Sequence, residues 1–210
     1  MTTLTLSHTT HMYPCLQQAY YNGWISATVS SNLFVFSPLG EIIYCFLNAP
    51  GCQHDSTLAQ ELYHLLLSRT PPGFALAADT AFSASGEMKT RIIKPLSSSQ
   101  LKRKADDKSV SVKKLAAIIK KHRACVSIRQ GAEWGMNSIQ NCWRRTNNTM
   151  TSNHARRNLE LTCIARLFNL RTRLTDISQL KTVYSESYVG CFNPRQQPGV
   201  PFQNALDVTV

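Results

Sequence analysis

The sequence predicts an α/β domain in which a mixed β-sheet is flanked by helices. The first half carries two apolar runs, at 20–36 and 41–47, that are rich in β-branched and aromatic residues, and the first of them alternates as a strand does. From about residue 109 the apolar residues instead recur at the spacing of a helix face. The chain has 210 residues, enough for one domain with a sizeable buried core.

The first half divides into a lead-in, a hairpin and a helix. Residues 1–19 are rich in Thr, Ser, His and Gln without a clear period, so we predict a poorly ordered lead-in. Ser, Pro and Gly at 37–40 predict a turn that joins the two apolar runs into an antiparallel hairpin. A helix is predicted over 57–68, because its leucines fall on one face.

The start of this helix has two candidate arrangements. Asp55 or Ser56 is well placed to be the N-cap residue. Thr57, followed three residues later by Gln60, also matches the spacing of a capping box. We favour the N-cap role for Asp55.

The apolar run at 74–82 is predicted to be a buried strand, because Pro-Pro-Gly at 71–73 marks a turn just before it. It contains one acid, Asp79, where the strand should end. A carboxylate fixed at the rim of a sheet suits metal-dependent phosphoryl chemistry, since Mg²⁺ prefers fixed carboxylate oxygens. The alternative is that Asp79 caps a following turn, a common role of Asp at strand ends.

Positive charge is confined to the later part of the chain. The formal net charge is +11, and no Lys or Arg precedes Arg69. Nine basic residues lie within 102–123, after a polar linker predicted at 97–100. This distribution predicts a polyanionic partner such as nucleic acid, with a basic protein lacking such a partner as the alternative. The clusters at 102–104 and 113–114 resemble a two-part nuclear-import signal, although a solvated helix face fits equally well.

Two long helices are predicted in the second half. The first continues from about residue 109 to 143, and the glycines on either side of Glu133 indicate close packing or a break. The second covers 154–171. Every basic residue from 129 to 173 is Arg, which suits bidentate phosphate contacts. Prolines without a period predict a flexible tail over 185–210.

Asp79 and Glu133 are the two acids whose placement suits catalysis. A sheet carboxylate that faces a helix carboxylate across two metal ions is an arrangement for phosphodiester cleavage. That chemistry usually needs a third carboxylate on the first strand, and no Asp or Glu precedes Glu41.

Other patterns narrow the class of the protein. The seven cysteines are scattered without a CxxC pair, which is typical of reduced thiols in an intracellular protein. No apolar run approaches the ~18 residues of a membrane helix, so we predict no membrane span. No secretory-signal pattern is visible at the N-terminus.

Six stretches, in order, resemble DDE-type transposase-derived endonucleases of the Harbinger-like group. They are Tyr-Asn-Gly-Trp (21–24), Val-Phe-Ser-Pro-Leu-Gly-Glu-Ile-Ile (35–43), Asn-Ala-Pro-Gly-Cys-Gln-His-Asp-Ser (48–56), Arg-Thr-Pro-Pro-Gly-Phe-Ala-Leu-Ala-Ala-Asp-Thr-Ala-Phe (69–82), Arg-Gln-Gly-Ala-Glu-Trp-Gly-Met (129–136) and Leu-Phe-Asn-Leu-Arg-Thr-Arg (167–173).

The resemblance implies an RNase H-like mixed sheet with flanking helices, over 20–184, with 97–123 as a basic insert. It implies cleavage and joining of DNA with Mg²⁺ or Mn²⁺. The family's catalytic and metal-binding acids match Asp79 and Glu133, and Asp55 matches a residue near the metal. The family's first-strand Asp and its N-terminal DNA-binding helices have no counterpart in this sequence, so the first strand is predicted to be missing.

Three hypotheses follow. The leading one is a degenerate or incomplete DDE endonuclease domain with little or no cleavage activity, located in the nucleus, with DNA and a divalent metal as partners. The second is a basic nucleic-acid-binding protein of transposon origin without catalysis. The third is a protein that uses the fold to bind another partner, since fold does not determine function.

Overall fold

The computed structural model describes residues 2–7, 14–107, 109–147, 153–176, 178 and 180–183. The elements of these residues are, in order, β1 (Thr2–Ser7), α1 (Pro14–Tyr20), β2 (Tyr21–Asn22), β3 (Ala27–Phe36), β4 (Ile42–Pro50), α2 (Asp55–Leu58), α3 (Gln60–Arg69), β5 (Leu76–Ala77), α4 (Met88–Arg91), β6 (Ile92–Ile93), α5 (Ser98–Asp106), α6 (Val112–Cys142), a 3₁₀ turn (Arg144–Asn147) and α7 (His154–Thr175).

Strand β3 is the centre of the main sheet. It pairs antiparallel with β1, with β2 and with β4. Its residues from Val29 to Phe36 are all buried, as expected for a strand covered on both faces. The turn between β3 and β4 matches the predicted hairpin: Gly40 N–H donates to Ser37 O at 2.9 Å, and Gly40 has a φ of +90° that favours glycine.

The N-terminal segment differs from its prediction as a poorly ordered lead-in. Thr2–Ser7 forms β1, which pairs with β3 from Thr2 opposite Phe34 to Ser7 opposite Val29. Thr and Leu alternate in this segment, but six residues are too few to display a strand period unambiguously. The loss of the family's first strand stays a prediction; β1 itself, Thr-Thr-Leu-Thr-Leu-Ser, contains no carboxylate.

The helix predicted over 57–68 is divided in two. A break at Ala59 separates α2 from α3. The N-cap residue of α2 is His54, whose side chain makes no capping hydrogen bond, and Asp55 lies inside the first turn. The prediction of Asp55 as the N-cap is therefore wrong, because the helix already includes Asp55 as its first residue.

Helices cover both faces of the sheet, which confirms the predicted α/β class. Alternation along β3 directs Phe34 and Phe36 to one face and Leu33 and Val35 to the other. The first pair packs against residues of α6 and α7, including Ala132, Met136, Leu161 and Phe168. The second pair packs against α3 and the β5–β6 region, including Leu62, Leu66, Ala78, Phe82 and Ile92.

Helix α7 is joined to β4 by two polar side chains. Asn169 Oδ1 accepts from Ile42 N–H at 2.7 Å, and Asn169 Nδ2 donates to Ile42 O at 2.8 Å. The fully buried Arg157 donates from Nε to Asn48 Oδ1, and its guanidinium lies 5.5 Å from the centre of the Tyr20 ring. Burial lowers the pKa of Arg157. These contacts set the position of α7 on the sheet.

The strand predicted over 74–82 is much shorter in the structure. Only Leu76–Ala77 pairs, in parallel, with β6, and Ala78 N–H donates to Ile93 O at 3.0 Å. The partner limits the length, because β6 follows directly on α4 and is only two residues long. Asp79 therefore lies just beyond β5, at the rim where the prediction placed it.

Helix α5 and the first part of α6 lie within 97–123, the region predicted as a basic insert, and α6 continues beyond it to Cys142. The predicted linker at 97–100 instead begins α5, where Ser97 and Gln100 form a capping box. Helix α6 continues without interruption past both glycines, so close packing rather than a break explains them. A Cβ at Gly135 would lie 3.0 Å from Phe36 Cζ. The predicted tail at 185–210 lies outside the described residues.

Candidate active site

The rim beyond β5 and the middle of α6 bring together the acids that the sequence predicted. Helix α6 packs against β5. Glu133 lies four residues after Arg129, and residues at this spacing are neighbours on one helix face. Asp79 approaches the same face from the strand side, 50 residues away in sequence from Arg129.

Arg129 lies between the two carboxylates. Its Nη1 is 3.3 Å from Asp79 Oδ1, and its Nε is 3.7 Å from Glu133 Oε1. Asp79 Oδ1 also accepts from Thr80 N–H at 2.6 Å and from the Thr80 hydroxyl at 3.3 Å. The three side chains are 37%, 40% and 49% exposed for Arg129, Asp79 and Glu133, so solvent reaches the cluster.

The donor set of this cluster does not fit a two-metal centre. Within the described residues, no three His, Cys, Asp or Glu side chains converge on a point where a metal ion could bind. The two carboxylates share a guanidinium, which carries a permanent positive charge. Strand β1 offers no third carboxylate. As arranged, the cluster lacks the oxygen ligands that two-metal cleavage of a phosphodiester requires.

Asp55 does not complete the cluster. It lies in the first turn of α2, and it belongs to no metal-binding group of the described residues. An acid in the first turn of a helix interacts favourably with the helix dipole, and Asp55 occupies such a position.

The arrangement partly neutralises a pair of acids. Two carboxylates held near each other repel, and a cation between them reduces that repulsion. In a two-metal nuclease the cation is a metal ion; here Arg129 supplies the positive charge. Sequence reasoning overlooked Arg129, although its four-residue spacing from Glu133 was visible within 129–136.

Burial disfavours two of the described cysteines as nucleophiles. Among the described residues, five cysteines are free thiols: Cys45, Cys52, Cys125, Cys142 and Cys163. Burial raises the pKa of the Cys45 and Cys125 thiols, which disfavours the reactive thiolate.

Together, the fold and the cluster define an α/β domain in which a strand-end acid meets a helix acid. A family model described as DDE superfamily endonuclease matches residues 11–169, about three quarters of the chain. The chain therefore belongs to the DDE superfamily endonucleases and carries a transposase-derived, nuclease-like domain. No curated protein and no solved structure matches the chain. Among the helices of the described ranges, none combines the length and apolarity needed to cross a membrane.

Proposed function

We propose that this chain is a DDE domain of the Harbinger-like group, with an RNase H-like sheet, that binds DNA in the nucleus without cleaving it. The observation that carries the proposal is the contact of one guanidinium, that of Arg129, with both Asp79 and Glu133. One of the two negative charges of this acid pair is thereby offset by the chain itself.

Electrostatics gives the size of this effect. Two unit charges 4 Å apart in water interact by about 1 kcal/mol. A divalent ion beside the Arg129 guanidinium would therefore meet a repulsion of about 2 kcal/mol, equivalent to a roughly 30-fold weaker affinity. The lack of any acid in β1 weakens metal binding further, because hard cations prefer several oxygen ligands.

The basic helices support DNA as the partner. Lys102, Arg103 and Lys104 on α5 are exposed, and so are Lys113 and Lys114 on α6. Exposed lysines and arginines that neutralise backbone phosphates bind DNA with little sequence preference and with a steep salt dependence. The same clusters support import into the nucleus.

A plasmid nicking assay with Mg²⁺ or Mn²⁺ tests the proposal. We expect no nicking above background by the wild-type chain and none by Asp79→Asn. DNA binding should be retained by both proteins and should weaken steeply as salt rises. Thr57→Ala changes an exposed polar residue of α2, far in sequence from both acids, and serves as the control variant: it should fold and bind DNA as the wild type does.

The alternative is an active endonuclease, because Asp79 and Glu133 both approach the position that the Arg129 guanidinium occupies. If the arginine moved aside, the two acids could then hold a metal. Robust nicking by the wild type that disappears in both Asp79→Asn and Glu133→Gln would establish this alternative and reject the proposal.

A further inference from the structure

A groove of about 370 Å³ lies next to the candidate site, between β6 and the helices α4, α5 and α6. Its lining contains no carboxylate and four lysines: Lys89, Lys94, Lys104 and Lys121. Isoleucine side chains of β6 and α6 also line it. Four like charges around one depression repel one another, and a bound anion would relieve that repulsion.

His122 adds a hydrogen-bond donor to this lining. Its Nδ1 accepts from the backbone N–H of Leu96 at 3.1 Å. A neutral imidazole that accepts at Nδ1 carries its hydrogen on Nε2, so His122 has an N–H to offer an anion. The hydrogen bond to Leu96 also fixes the ring relative to the segment that joins β6 to α5.

The four groove lysines have no carboxylate partner within the described part of the chain, because none of these lysines forms an ion pair there. The acid that acts on Lys104 electrostatically is Asp107, beyond the end of α5. Asp107 Oδ1 accepts from both the hydroxyl and the backbone N–H of Ser109. These hydrogen bonds, and then the charge of Lys104, lower the pKa of Asp107.

The groove and the acid cluster share two elements. Ile93, in the groove lining, is the strand partner of Ala77, and Asp79 follows two residues later. On α6, Arg129 lies seven positions after His122, a rise of about 10 Å at 1.5 Å per residue. A strand of DNA that lies in the groove would therefore run towards the Asp79 rim.

We infer that this groove binds a backbone phosphate of DNA, with Lys89, Lys94, Lys104 and Lys121 supplying the charge and His122 a hydrogen bond. The inference rests on the proposed DNA-binding function. The groove's volume lies at the lower end of the range for small-ligand sites, about 300–1,000 Å³, which suits one nucleotide unit rather than a folded partner.

The test compares two double variants that remove equal charge. Lys104→Gln with Lys121→Gln removes groove lysines, and Lys120→Gln with Arg123→Gln removes two exposed basic residues of α6 that lie outside the groove. Binding to a labelled DNA duplex is followed by fluorescence anisotropy over a range of salt concentrations. Thermal melting of both variants verifies that they fold.

We expect the groove variant to lose about tenfold in affinity and its salt slope to fall by about 1, because the contact with one phosphate is lost. The matched variant should lose less than about threefold, since it changes only the general field. Equal losses of affinity in the two variants would reject the groove as a phosphate-binding site, while DNA binding by the chain would still be established.

A second probe separates the two proposals. A DNA dinucleotide with a 5′-phosphate is titrated while the NMR signals of the His122 ring are followed. Signals that move in the wild type and not in the groove variant support the phosphate site, even if the duplex fails to bind and the proposed function falls. Signals that stay unchanged in the wild type reject the site.

Discussion

Arg129 Nη1 on α6 lies 3.3 Å from Asp79 Oδ1 beyond β5, and the same guanidinium reaches Glu133 one helical turn on. This relationship joins the two acids that resemble the family's catalytic residues and supplies their counter-charge from within the chain. Exposed ion pairs contribute only about 0–1 kcal/mol to stability, so the cluster's main consequence concerns cation binding rather than folding.

Replacing Arg129 should open the carboxylate pair to metal ions. Arg129→Gln removes the positive charge while keeping a polar side chain, so we expect Mn²⁺ affinity to rise by about tenfold or more. Calorimetric titration measures it. Arg123→Gln, an exposed arginine of the same helix outside the cluster, should leave Mn²⁺ affinity unchanged. An unaltered affinity in Arg129→Gln would show that the arginine does not control cation binding.

Removing the Asn169 side chain should loosen α7 from the sheet. It makes two hydrogen bonds to the backbone of Ile42, so Asn169→Ala leaves a donor and an acceptor of β4 without a partner. We expect a loss of about 1–3 kcal/mol in the free energy of unfolding, measured by urea denaturation. Asn141→Ala, at an exposed position of α6, should change it by less than about 0.5 kcal/mol. Equal changes in the free energy of unfolding for Asn169→Ala and Asn141→Ala would show that the two hydrogen bonds of Asn169 make no net contribution to stability.

Substitution of Gly51 should be strongly destabilising. An added Cβ would lie 2.5 Å from Val29 O and 2.6 Å from Tyr20 O, and backbone oxygens cannot rotate away. We expect Gly51→Ala to lower the free energy of unfolding by about 2–3 kcal/mol. Gly23→Ala is the matched control, because its Cβ would meet nothing within 4 Å. A Gly51→Ala protein as stable as Gly23→Ala would contradict this close approach of three backbone segments.

Tyr44 should make the free energy of unfolding depend on pH in the alkaline range. Burial, and then the charge of Glu61, raises the pKa of Tyr44 to about 12. Because the unfolded value is about 10, the stabilisation is fully present below pH 10 and is lost as pH rises from about 10 to 12.

We therefore expect the free energy of unfolding to fall less in Tyr44→Phe than in the wild type as pH rises from about 10 to 12. The difference between the two falls should reach up to about 2 kcal/mol. Denaturant titrations at several alkaline pH values measure the difference, and other titrating groups are common to both proteins. The exposed Tyr21→Phe should keep the wild-type dependence. A wild-type slope retained in Tyr44→Phe would rule out this residue as its source.

The candidate site was partly visible in the sequence. Asp79 and Glu133 stood out because one follows an apolar run and the other lies between glycines on a helix. Arg129 did not stand out, because its role depends on a contact with Asp79 across 50 residues. The groove was also hidden, since its lysines come from three helices and the segment after β6 rather than from one charged run.

The α/β class, the β3–β4 hairpin and the long helices α6 and α7 follow from local sequence, because hydrophobic period and turn residues act locally. Four features became visible only in the folded chain: the pairing of β1 with β3, the two-residue length of β5, the break at Ala59 and the position of Arg129 between two acids. Each of these depends on a partner distant in sequence or on packing against one, and local propensity carries no information about such partners.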